Sequence, residues 1–147
     1  MATIQSAYFK GNARSNIPVP NKAGVVCEVI VSHTFTETVA STDVLELFAL
    51  AGGNRILSVD ITSENIGAIN LGIGFMSGTP GDVESVRTNG TEIFAAQAAN
   101  SAAAMTLAAV VALTTSDSPR SIGVVPASNI TAASNKKLHM RVRYAAA

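Results

Sequence analysis

The sequence predicts an all-β protein: an antiparallel β-sandwich, jelly-roll-like in its strand spacing, with about eight strands and an extended N-terminal arm. Three observations predict it. From Gly24 onward apolar residues recur with a period of two in one segment after another. Gly, Pro and Asn punctuate those segments at short intervals. No 3.6-residue amphipathic pattern alternates with the strands, which argues against a parallel α/β sheet. Strands with one apolar face need a second sheet to cover it, so two packed layers are the economical arrangement.

Residues 1–23 show no sustained period, and Pro18 and Pro20 hold Val19 extended between them. They are expected to form an arm, ordered chiefly where it lies on something else, ahead of a sandwich domain over residues 24–147. The first strand sets Val25, Cys27, Val29, Val31 and Phe35 on one face and Val26, Glu28, Ile30, Ser32 and Thr34 on the other. Val44–Leu50 is apolar apart from Glu46, and Ala51-Gly52-Gly53-Asn54 supplies a turn. Next, Leu57, Val59 and Ile61 alternate with Ser58, Asp60 and Thr62; then Ile69, Leu71, Ile73 and Phe75 alternate with Ala68, Asn70, Gly72 and Gly74. A Gly- and Pro-rich loop, Ser77–Asp82, closes that strand, and Asn89-Gly90 opens another at Thr91.

The alanine-rich middle is ambiguous. Met105, Leu107, Ala109, Val111 and Leu113 share one face if Met105–Leu113 is a strand, which is the preferred reading; a helix is the alternative. Ser121–Val125 makes a short strand before Pro126. In the last strand Leu138, Met140, Val142 and Tyr144 alternate with Lys137, His139, Arg141 and Arg143.

Composition narrows the function. Of 147 residues 48% are hydrophobic and only 14% charged, and ten acidic residues balance ten basic ones. A neutral, charge-poor surface neither repels its own copies nor draws in polyanions, so partners are expected to cover much of it, and nucleic acid is not among them. Aromatic residues make up 5% with no Trp, which is poor material for stacking sugars or bases. The lone Cys27 rules out an intrachain disulfide framework and reads as a small hydrophobe. Met1–Asn21 is polar and proline-bearing, unlike a secretory signal. The uncharged run Ile93–Ser116 carries Gln97, Asn100, Ser101 and Thr106 among alanines, so no membrane partner is expected.

Residues that could carry chemistry are few. His33 falls on the apolar phase of the first strand and reads as a core or rim histidine; His139 sits among basic residues and reads as solvated. The two histidines and Cys27 lie on separate segments without coordination spacing. Asp60 and Glu64, and Asp82 and Glu84, lack the alternating ligand series of a Ca²⁺ loop and read as solvated acids. Gly72-Ile-Gly74 and Gly78-Thr-Pro-Gly81 open no helix, so they do not cradle a phosphate. No catalytic residue, metal site or cofactor is expected, and the chain does not read as an enzyme.

Two surface features stand out. Lys136 and Lys137 lead into the last strand, and alternate residues His139, Arg141 and Arg143 share a face, giving a basic stripe. It reads either as a solubilising sheet edge or as a contact for acidic groups on a protein partner. The bare face of Ala68, Asn70, Gly72 and Gly74 allows close approach of another backbone, either a neighbouring subunit or a second layer of the same chain.

Four segments together resemble the decoration, or cement, proteins of tailed-bacteriophage heads. They are Asp43–Leu50, Gly53–Ile61, Ala68–Gly74 and the basic alternating strand Leu138–Tyr144. The resemblance is one of pattern across most of Gly24–Tyr144. It implies a jelly-roll-like sandwich made in the bacterial host cytoplasm. It also implies assembly as a homodimer or homotrimer on the outer capsid surface, where the protein clamps neighbouring major capsid subunits. The residue 1–23 arm would suit strand addition or wrapping onto a neighbour. Alternative readings are a head-fibre base, a tail component, or a ligand- or carbohydrate-binding sandwich module.

Overall fold

A computed structural model of the chain describes residues 1–6, 25–83 and 86–146; most of the expected arm, residues 7–23, and Glu84 lie outside the described residues. Among the described residues the strands are β1 (Thr3–Gln5), β2 (Val26–Thr34), β3 (Val44–Leu50), β4 (Asn54–Glu64), β5 (Asn70–Met76), β6 (Phe94–Ala98), β7 (Ala103–Ala104), β8 (Arg120–Pro126) and β9 (Lys137–Ala146), with one helix, α1 (Leu107–Ala112). They form two sheets, in the orders β1-β3-β8-β5-β6 and β2-β9-β4-β7. Without β1 the described strands take the eight-stranded jelly-roll arrangement, in which successive strands pass between two facing layers except for β5 and β6, which pair within one sheet. Pairing is antiparallel throughout, apart from β1, which adds to β3 in parallel. The all-β sandwich is therefore as the sequence implies.

The core lies between the layers. From β9 come Leu138, Met140, Val142 and Tyr144, from β4 Ile56, Val59 and Ile61, and the facing sheet supplies Leu45, Phe48, Leu71, Ile73, Ile122 and Val124. The period-two reading of β2 and β9 holds residue by residue: Val31 and His33 are buried while Val26, Glu28, Ile30 and Ser32 are exposed. It fails in β4. A register shift between Ile56 and Ser58 opposite β9 sets two residues against one, so the phase flips and Ile56 is buried in place of Leu57. β3 is buried on both faces, because Glu46 and its neighbours are roofed by the segment that follows β5. The turn expected at Ala51–Asn54 is present, and Gly53 has φ 73°, a left-handed conformation that glycine adopts freely.

The alanine-rich stretch corrects the preferred reading of Met105–Leu113 as a strand. The alternative is realised: Leu107–Ala112 is a helix, and Thr106 caps it, its hydroxyl accepting from the Ala109 amide at 3.2 Å. None of its residues is buried, so packing does not select the conformation; a good cap followed by alanine does. The strand expected from Thr91 begins instead at Phe94.

Candidate contact surface

β9 is the second strand of the four-stranded sheet, flanked by β2 on one side and β4 on the other. The basic stripe consequently runs down the interior of a sheet, which removes the reading as a solubilising edge. Lys137, His139, Arg141 and Arg143 do share one face, opposite the buried Leu138, Met140, Val142 and Tyr144. Lys136 stands just before the strand and its ammonium donates to the Thr131 hydroxyl at 2.6 Å.

Three of the four titratable groups along the stripe, His139, Arg141 and Arg143, each meet a carboxylate from a flanking strand. Arg143 Nε donates to Glu28 of β2 at 2.5 Å, and Arg141 Nε donates to Asp60 of β4 at 2.6 Å. His139 lies between the Ser32 hydroxyl, 2.7 Å from its Nδ1, and the Glu64 carboxylate, 2.9 Å from its Nε2. The register explains the pairings: Glu28 lies opposite Arg143, Asp60 opposite Arg141, and Thr62, two residues before Glu64, opposite His139. Hydrogen bonding and attraction from Glu28 hold the Arg143 guanidinium above its ordinary pKa. Asp60 and Glu64, read from sequence as solvated acids, are thus partners within a ladder. The face is charged but locally neutral, with Ile30 standing 63% exposed beside Arg141. An open depression of about 520 Å³ lies between Ile30, Asp60, Thr62, His139, Arg141 and the short edge at Ala102–Ala104.

The glycine-bearing face of β5 resolves differently. A side chain at Gly74 would strike the Gly90 backbone and the Glu92 carboxylate, and the Glu92 carboxylate accepts from the Phe75 amide at 3.1 Å. Of the two readings offered by sequence, close packing by the same chain is the one realised there. The returning segment is anchored by a buried cluster that sequence reasoning missed. Arg87 and Glu46 are 2.9 Å apart with side chains 1% and 0% exposed, and the Ser121 hydroxyl also donates to Glu46. Arg87 further donates to the carbonyls of Ser77 at 2.8 Å and Asp82 at 2.7 Å. Glu46, the one acid in an apolar run, was the signal; its partner 41 residues on was not legible.

No group of three or more potential metal ligands gathers among the described residues, and no described helix is long and apolar enough to cross a membrane. His33 is buried edge-on to Phe35, with ring centroids 4.8 Å apart, as a core histidine.

No protein-family model matches the chain, and no curated protein matches it by sequence. Solved structures do. The fold matches a chain of the capsid of Ralstonia phage GP4 with a TM-score of 0.87 at 27% identity, covering 99% of both chains. It also matches a chain of the cyanophage Pam1 capsid asymmetric unit (TM-score 0.59, 22% identity, 92% of this chain and 95% of that one). A third match, in the acid-stable capsid of Helicobacter pylori bacteriophage KHP30, has a TM-score of 0.54 at 15% identity, over 84% of this chain and 90% of that one. The sandwich is thus a fold found in the capsids of three phages, and in the first the similarity runs from end to end.

Proposed function

We propose that the chain is a structural virion protein of a tailed phage that binds the outside of the head and stabilises contacts between major capsid subunits. The observation that carries this reading is the end-to-end likeness to a chain of the Ralstonia phage GP4 capsid. The coverage of 99% on both sides means that the likeness takes in nearly the whole of that capsid chain. A domain of this size suits an accessory position on a lattice.

The surface agrees with such a role. Zero net charge and a ladder of matched ion pairs give no long-range attraction to nucleic acid, while fixed charges of both signs can set register against a complementary protein surface. The face bearing Lys137, His139, Arg141 and Arg143 belongs among the surfaces to test for capsid contact, with Lys136 at its rim. Many weak contacts repeated over a shell add up through avidity, so no single deep pocket is required. Catalysis plays no part in this function.

The test is reconstitution. Purified protein added to expanded capsids that lack it is expected to bind saturably, in hundreds of copies, and to raise the temperature at which the shells burst. Failure to bind, or binding at a dozen copies or fewer, as for a fibre or tail component, would overturn the proposal.

A further inference from the structure

On the outer face of the four-stranded sheet, Ser32 of β2, His139 of β9 and Glu64 of β4 form a continuous hydrogen-bonded row across three adjacent strands. The pairing register builds it. Ser32 and Thr62 both lie directly opposite His139, and Glu64 stands two residues beyond Thr62, on the same face. The Ser32 hydroxyl is 2.7 Å from Nδ1 of the imidazole, and Nε2 is 2.9 Å from the Glu64 carboxylate. An ionised carboxylate only accepts, so the neutral imidazole carries its proton on Nε2. Its Nδ1 lone pair then faces Ser32, whose hydroxyl donates to it. A hydroxyl held by an imidazole that a carboxylate orients in turn is the arrangement that activates a serine as a nucleophile. Ser32 is exposed, so a reagent can reach it, while the His139 side chain is only 24% exposed and held in place from both sides.

We propose that Ser32 is an acceptor site for activated acyl groups with a short apolar chain, with His139 as its base and Glu64 as the positioning residue. In the step, Oγ attacks the carbonyl carbon of an activated ester while its proton passes to Nδ1. The Oγ–acyl bond forms, the bond to the leaving alkoxide breaks, and the proton departs with that alkoxide. The surroundings suit such a group. The depression of about 520 Å³ has His139, Ile30 and Ala102–Ala104 among its walls, and Ile30 is the neighbour of Ser32 on the same face of β2. An acyl chain on Oγ thus has an apolar bed beside it. The Arg141 guanidinium lines the same depression, and a fixed cation there favours a developing oxyanion. This inference goes beyond the virion reading and does not depend on it.

The folded full chain treated with p-nitrophenyl butanoate is expected to become acylated on Ser32, located by peptide mass spectrometry. Ser32→Ala should remove the corresponding share of p-nitrophenolate release. His139→Gln should slow acylation of Ser32 by about a hundredfold, and Glu64→Gln by about tenfold or more. Acylation of exposed amines in the same samples should not change, nor should the circular dichroism, which separates lost activation from lost folding. A Ser32 no more reactive than the exposed Ser41 overturns the proposal, as does an acylation rate that His139→Gln leaves intact. A rate that only Glu64→Gln leaves intact overturns the role given to Glu64.

Discussion

Replacing Arg87 by Met would remove the buried cation and leave the Glu46 carboxylate stranded. Among the described residues Arg87 is the only charged group within ion-pair distance of Glu46, both side chains are essentially inaccessible, and Glu46 Oε2 has no hydrogen-bond partner. Breaking a buried pair from one side costs about 3–5 kcal/mol, because the remaining charge must stay desolvated or take up a proton. The same substitution strips donors from the carbonyls of Ser77 and Asp82, which can regain water if the loop opens. A loss of about 4 kcal/mol follows, or a fall in Tm of roughly 10 °C for a chain of this size. Urea unfolding reads it through tyrosine fluorescence, since the chain has no Trp and Tyr144 is buried against Phe48. The decisive comparison is the double variant Arg87→Met with Glu46→Leu. Removing both charges leaves only the Gly81 amide and the Ser121 hydroxyl without Glu46, so the double variant should be more stable than Arg87→Met alone. A single variant that loses less than about 1 kcal/mol, or a double variant less stable than the single, would refute the reasoning.

Other substitutions separate the core from the surface. Phe48→Ala deletes a fully buried ring at the centre of the core and should cost about 3–5 kcal/mol in the same unfolding assay. Gly74→Ala forces a methyl group against the Gly90 backbone and should cost about 1–3 kcal/mol, with near-ultraviolet circular dichroism reporting the displaced segment. Asp60→Asn weakens a pair whose side chains are 41% and 29% exposed, so it should change stability by no more than about 1 kcal/mol, and by less still at high salt. Leu107→Lys, on the exposed helix α1, should leave unfolding unchanged within about 0.5 kcal/mol.

The strands were legible where one face is dry and the other wet. β2 and β9 announce themselves by alternation, and β5 nearly so, because a period of two is a local property of a half-buried strand. What depends on pairing between distant segments was not legible. The bulge that flips β4 arises only against β9, and β1 is too short to show any period. The helix at Leu107–Ala112 had a visible cap in Thr106, but alternating Leu, Ala and Val reads equally well as strand when no residue is buried to decide between them. The stripe shows the same division. Its residues and their common face could be read from β9 alone; that Glu28, Asp60 and Glu64 neutralise it could not, since β9 reaches those strands across 115, 81 and 75 residues. Sequence gave the cations and structure gave their counterions, turning an expected basic edge into a balanced interior ladder.

The central claim is that this sandwich coats the outer surface of a phage head. A cryo-electron density map of the parent particle tests it most directly. The account predicts hundreds of two-layered densities of this shape seated on the outside of the shell and bridging adjacent capsid subunits. Density for the sandwich confined to the tail or the shell interior, or missing from the particle altogether, would contradict it.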